Sequence, residues 1–357
     1  MDKGEPLLCP LLQKMTVHGL NNNTKANLVV VGVHGLVSLL GILENALIIW
    51  VLGFRLSSRT VTSVWVLNLA LTDFLATLML PLFTAYLHSS HSWELGDVLC
   101  KVQASIFFFN MFVSAFLLAA ISLDRLLLVF KPMWSLKHRS VAGAWKVSAL
   151  GWLWGAINTA PYFVFRSVVE KMDGRKLCYY NFALYLPSNG TLQRDCDVRH
   201  GTTAISKMLL AFLIPLMVIA GSQASKQKFG NAAMVIVFAL CWAPYQIFCM
   251  IELTAQDNEE TLKLVETWLP LAATLAFLNP VLNPILYAFS CPNFFVRIRQ
   301  SLGKVFDELV LQNSGPILLK MRVTSTLSSP KTIHLKSLMV TGNVVGVTLK
   351  VIWRSTI

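Results

Sequence analysis

Charge is scarce in this chain. Of its 357 residues only 13% are Asp, Glu, Lys or Arg, about half the share of an ordinary soluble domain, while 55% are apolar. A water-soluble fold is excluded on that balance. Cysteine is also sparse: seven residues, with no CxxC and no Cys/His cluster at the spacing of a zinc or redox site. That rules out a disulfide scaffold and a sequence-evident metal centre. The segment Met1 to Ala26 lacks the charged start and apolar centre of a cleavable signal peptide, so the first apolar run is expected to act as the signal. No Gly-x-Ser-x-Gly or His-Glu-x-x-His occurs, and no nucleophile stands beside a base inside an apolar run, which argues against an intramembrane enzyme.

What the chain has is long apolar runs. A helix needs about 20 largely apolar residues to cross a bilayer, and seven segments qualify: Leu28 to Gly53, Val61 to His88, Val98 to Phe130, Val141 to Phe165, Thr202 to Gly221, Ala232 to Thr254 and Leu262 to Phe289. Each must be helical, because lipid offers no partner to a bare backbone amide. The formal charge of +12 would suggest nucleic acid in a soluble protein. Here the Lys and Arg residues lie between apolar runs and point to a membrane surface, with no nucleic acid as partner.

Arg55, Arg59, Lys131, Lys137, Arg139, Lys226, Lys228, Arg297 and Arg299 fall on one side, which the positive-inside rule makes cytoplasmic. The N-terminus is then extracellular, with acceptor patterns for glycosylation at Asn22 and Asn189. The expected fold is an all-α seven-transmembrane bundle. It comprises an extracellular segment 1–27, a membrane domain 28–292, an amphipathic surface helix 293–305 and a cytoplasmic tail 306–357. The tail shows no helical periodicity and reads as disordered or strand-prone.

Polar residues inside the spans are expensive. A charge at the bilayer centre costs about 2.5–3.5 kcal/mol on insertion scales, so Asp73 needs partners. Asn45, Asn110, Ser114, Asn279 and Asn283 are buried by position. Together they would form a polar pocket for a cation or water, or only interhelical hydrogen bonds that hold the bundle. Lys207 lies one or two turns inside the fifth span, ahead of an apolar stretch, where it would either face a ligand or snorkel to the interface.

Asn45, Asp73, Cys100, Asp124-Arg125, Trp152, Cys178, Pro215, Cys241-Trp242-x-Pro244 and Asn283-Pro284-x-x-Tyr287 stand in the order of the rhodopsin-like G-protein-coupled receptors, which the chain resembles. His91 to Gly96, Pro161 to Arg166 and Cys178 to Asn181 are similar to the chemoattractant branch. The resemblance covers about residues 5–305 and fails in the third inner loop and the tail.

The resemblance implies disulfides Cys100 to Cys178 and Cys9 to Cys196, the second with a free-thiol alternative. It implies a carboxylate-binding set of Arg166, Tyr180, Lys207 and Tyr245, walled by Phe83, Phe107, Phe108, Phe248 and Phe277, any of which would equally serve as packing. Glu252 would pair with Lys207 or Arg166, or face water. Asp124 and Arg125 would pair at rest, with Trp242, Pro244, Asn283, Pro284 and Tyr287 as moving parts. Asp73, Asn110 and Ser114 would hold sodium, an allosteric ion, with no other cofactor. The implied role is a plasma-membrane receptor for an acidic prostanoid, signalling in chemotaxis through an inhibitory-class G protein and arrestin. A peptide with a free terminal carboxylate is the second ligand class, and an organic-anion transporter a different function.

One departure stands out. Only 29 residues separate Pro215 from Pro244. Two crossings of the inner half-membrane at 1.5 Å per residue use about 20 of them, leaving about nine for the turn. A receptor that binds ligand without coupling is therefore a further alternative.

Overall fold

The structure, a computed structural model, describes residues 7–17, 28–56, 58–186, 191–222, 228–255, 258–290, 303, 340–344 and 347–351, with only the backbone described at 228–232, 287–290 and 340–351. The expected glycosylation sites Asn22 and Asn189, all of the amphipathic segment 293–305 but Gly303, and the Tyr287 side chain lie outside the described residues.

The apolar runs are helices. The short α1 (Pro10–Val17) precedes span one, α2 (Leu28–Trp50), which ends in a π-helical turn at Val51–Arg55. Spans two and three are α3 (Val61–His88) and α4 (Gly96–Phe130). After the short α5 (Pro132–His138), α6 (Val141–Val164) forms span four. Strands β1 (Arg166–Glu170) and β2 (Lys176–Tyr180) follow, pairing antiparallel with Arg166 opposite Tyr180. Span five joins α7 (Leu192–Met208), a π turn at Leu209–Leu213 and α8 (Ile214–Gly221). Span six is α9 (Lys228–Thr254), and span seven is α10 (Glu259–Ala276) with α11 (Asn279–Ser290). The chain's last 51 residues form a separate unit from Asp307, whose described part is a hairpin of β3 (Val340–Val344) and β4 (Val347–Val351). The strand-prone reading of the tail matches that hairpin.

Six helical stretches among the described residues are apolar enough to cross a membrane by composition alone. The seventh, α6, has 24 residues and so extends about 36 Å. Three tryptophans, a tyrosine, a proline, three glycines and one charge, Lys146, lower its mean hydropathy. Its glycines have a use: a Cβ on Gly151 would stand 2.6 Å from the Phe116 ring, and one on Gly155 would strike Val113. Small residues let helix backbones approach closely in a bilayer, where association rests on packing and hydrogen bonds. Trp152 then donates its Nε1–H to Asn68 Oδ1 of span two at 3.0 Å.

Proline removes a helical donor and leaves the carbonyl four residues back unsatisfied. Neighbouring spans supply the missing donors. Pro81 frees the Thr77 carbonyl, which accepts from Ser38 Oγ at 3.2 Å; Pro284 frees that of Pro280, which accepts from Asn45 Nδ2 at 3.1 Å. These contacts tie span one to spans two and seven. Span seven itself breaks at Phe277 and Leu278, whereas α9 runs through Pro244 as one helix.

Span five starts ten residues earlier than its apolar run, at Leu192 rather than Thr202. The added turns bear charge on several faces, so hydropathy could not extend the span. At the other end α8 stops at Gly221 and α9 begins at Lys228, so the connection is as short as the proline spacing implied.

Candidate ligand pocket

Two disulfides build the pocket end. Cys100 of α4 is bonded to Cys178 of β2, pinning the hairpin over the bundle. Trp93 is buried beside both, with its Nε1–H donating to the Gly96 carbonyl at 2.8 Å and its backbone N–H to the Lys176 carbonyl at 2.8 Å. Cys9 is bonded to Cys196 of α7, which lays α1 across the opening. Leu12 and Met15 of α1 are buried, the Met172 N–H donates to the Thr16 carbonyl at 3.0 Å, and Asn181 Nδ2 donates to the Leu7 carbonyl at 3.1 Å.

Beneath lies a cavity of about 1260 Å³ including its open mouth, lined by residues of spans two, three, five, six and seven, of the hairpin and of α1. Its floor is aromatic: the Phe107 ring stands 5.4 Å from Tyr245, 5.1 Å from Phe277 and 5.9 Å from Trp242. Phe108 stacks on Tyr162 at 3.9 Å, and Phe83 lies 5.9 Å from Phe277. Phe83, Phe107, Phe108 and Phe277 line the cavity, and Phe248 does not.

Lys207 is only 4% exposed. Its ammonium donates to the Cys249 thiol at 3.0 Å and rests over the rings of Tyr245 at 5.2 Å and Phe108 at 5.5 Å. A buried ammonium facing a thiol and two ring faces retains a strong preference for an anion. Arg166 lies over the Tyr180 ring at 4.6 Å and donates to Cys178 Sγ at 3.4 Å. The Tyr180 hydroxyl is buried without a hydrogen-bond partner, and burial pushes its pKa above the ordinary tyrosine value, so it stays a neutral donor. Two cations and a spare hydroxyl thus line one cavity.

Glu252 departs from the expectation. It is buried, accepts a hydrogen bond from Tyr179 and faces His200 Nε2 at 3.8 Å, rather than pairing with Lys207 or Arg166 or facing water. Its contact with Tyr179 places it under β2, while Lys207 turns to Cys249. Asp124 departs too. Both its carboxylate oxygens accept from Arg139, at 2.8 and 2.9 Å, in place of the expected pairing with Arg125. Arg139 follows α5, and that short helix carries its guanidinium back to the end of α4.

Deeper in the bundle, Asp73 is fully buried. Its Oδ1 accepts from Asn110 Nδ2 at 2.9 Å and Ser114 Oγ at 3.3 Å, and its Oδ2 from Asn283 Nδ2 at 2.8 Å. Asn45 Oδ1 and Asn283 Oδ1 are buried without partners. A carboxylate, a hydroxyl and spare amide oxygens are the donor set of a hard cation, so the residues fit the sodium ion the resemblance implied. The Trp242 indole N–H is likewise buried without a partner.

A family model described as 7 transmembrane receptor (rhodopsin family) matches residues 44–226 and 230–287. The chain is a rhodopsin-family G-protein-coupled receptor. It is 43% identical to the mouse protein named prostaglandin D2 receptor 2, over 90% of this chain and 89% of that one. The rat protein of the same name is 44% identical over 86% and 80%. Rat chemerin-like receptor 2 is 34% identical over 83% and 85%, and the C3a anaphylatoxin chemotactic receptor of Oncorhynchus mykiss 35% over 76% of each. Membership makes the receptor a multi-pass membrane protein with a ligand and a G-protein partner, and not an enzyme.

Sequence reasoning missed several residues of the receptor's pocket: Lys171, Arg175 and Tyr179 of the hairpin, Met15 of α1 and Glu266 of α10. Glu266 was findable, since it stands inside the seventh apolar run, where the rule applied to Asp73 and Lys207 also holds. The hairpin residues carry no such signal. Gly174, at φ +82°, permits the turn that brings Lys171 and Arg175 together, and nothing in the local sequence says which way that turn faces.

Proposed function

We propose that the receptor sits in the plasma membrane with its N-terminus extracellular and binds an acidic lipid, prostaglandin D2 first. It signals through an inhibitory-class G protein and arrestin in chemotaxis. Lys207 carries the reading: its buried ammonium faces a greasy cavity with a thiol and two aromatic rings as its neighbours. A fatty-acid carboxylate meets that need, with Arg166 as a second cation and the Tyr180 and Tyr245 hydroxyls as donors. The names of the mouse and rat relatives support the same ligand.

Ligand entry favours whichever arrangement of spans six and seven it contacts better. Trp242 lies directly under the aromatic floor, 5.9 Å from Phe107, so a displaced Phe107 reaches it. Pro244, Asn283, Pro284 and Tyr287 are the positions about which those spans rearrange, and Arg125, next in the chain to the Asp124 that Arg139 holds, belongs to the inner switch. Sodium held by Asp73, Asn110 and Ser114 favours the resting state.

The peptide reading draws on the same cations and on the likeness to the C3a anaphylatoxin chemotactic receptor of Oncorhynchus mykiss. Displacement of labelled prostaglandin D2 on membranes from expressing cells decides between them. Saturable binding blocked by unlabelled prostaglandin D2 supports the lipid; absence of binding with capture of carboxylate-ended peptides supports the alternative. The short connection between Gly221 and Lys228 favours a receptor that binds without coupling as the second reading. Ligand-stimulated nucleotide exchange on an inhibitory G protein tests it directly.

A further inference from the structure

The cavity has a second polar group. Both carboxylate oxygens of Glu266 are buried and neither has a hydrogen-bond partner, yet the residue lines the same cavity as Lys207. The two groups are set among different elements. Lys207 meets Phe108, Tyr245 and Cys249, of spans three and six. Glu266, on span seven, acts electrostatically on Tyr86 of span two and on Lys171 in the hairpin turn. Lys171 is itself 6% exposed, so the hairpin turn covers its own charge at this part of the cavity.

We propose that Glu266 is a specificity-determining subsite that accepts a hydrogen bond from a hydroxyl on the ligand, distal to the carboxylate held at Lys207. This deepens the acidic-lipid reading and rests on it. A buried carboxyl group with both oxygens unpaired discriminates strongly for a ligand hydroxyl, because a ligand lacking one leaves those oxygens desolvated and unpaired. An ammonium would supply a donor too. Lys171 and Arg175, both lining the same cavity, would repel it, whereas a neutral hydroxyl meets the carboxyl group without opposing those charges. The ligand class is therefore a hydroxylated fatty acid, with its acid and its alcohol held by different walls of the cavity.

The test uses full-length receptor in membranes and two probes, prostaglandin D2 and an analogue lacking the hydroxyls distal to its carboxylate. Glu266→Ala should weaken prostaglandin D2 roughly tenfold or more, the range for a hydrogen bond to a charged group, and leave the deoxy analogue within twofold. Glu266→Gln, which keeps one acceptor oxygen, should lose less. Equal weakening of both probes, or of neither, overturns the subsite. A thermal-shift assay on Glu266→Gln guards against a folding defect, since a folded variant with an unchanged preference also counts against it. Failure of wild-type receptor to bind either acid overturns the acidic-lipid reading and the subsite with it. Binding of both with equal affinity overturns the subsite alone.

Discussion

Replacing Lys207 with Met tests the central electrostatic claim. Methionine keeps much of the apolar stem that packs between Phe108 and Tyr245 and removes only the ammonium, which donates to Cys249 at 3.0 Å. Removing one partner of a buried charged contact costs about 2–5 kcal/mol. At about 1.4 kcal/mol per tenfold, that is a rise of roughly 30- to 4000-fold in Kd for prostaglandin D2. The ligand-free receptor should respond in the opposite sense. A buried ammonium without a counter-ion is destabilising, so Lys207→Met should raise the Tm of the free receptor while abolishing the stabilisation that saturating ligand gives wild type. Competition binding and thermal shift on the same membranes read both. Unchanged affinity, or a free receptor that melts lower, would refute the reasoning, because either result means the ammonium already has its partner within the fold.

Cys9→Ser combined with Cys196→Ser releases α1 from α7; ligand dissociation should quicken several-fold, and the disulfide's loss should cost about 2–5 kcal/mol of stability, both seen by washout kinetics and thermal shift. Asp73→Asn removes the charge of the inner polar cluster, so replacing choline with sodium in the buffer should lower agonist affinity in wild type and leave the variant unmoved. His91 is pushed below its ordinary value of 6.5 by burial first and by Arg175 and Lys171 after it. Between the folded and unfolded values the unfolded chain binds the proton more readily, so stability falls as pH drops through about 6.5. His91→Gln should flatten the Tm difference between pH 7.5 and pH 5.5, and an undiminished difference would count against that assignment.

The seven spans and their order were legible because each rests on a local signal, whereas the two cysteine pairs came only through the family resemblance, which left a free-thiol alternative for Cys9 and Cys196. Bilayer hydrocarbon selects apolar residues one at a time, so a run of them marks a helix whatever its neighbours do. The buried placement of Asp73 and Lys207 followed from the same rule, since an ionisable residue in such a run must find a partner. Partner identity was another matter. It depends on how each helix is rotated about its axis and on where the connecting segments return, and hydropathy records neither. The short helix after span three therefore brings Arg139 to Asp124, and the hairpin brings Tyr179 to Glu252 and Lys171 towards Glu266. Sequence determined that this chain crosses a membrane seven times and carries charge where charge is costly; only the tertiary packing decided which charges meet, because side-chain pairing is set by contacts between residues tens of positions apart.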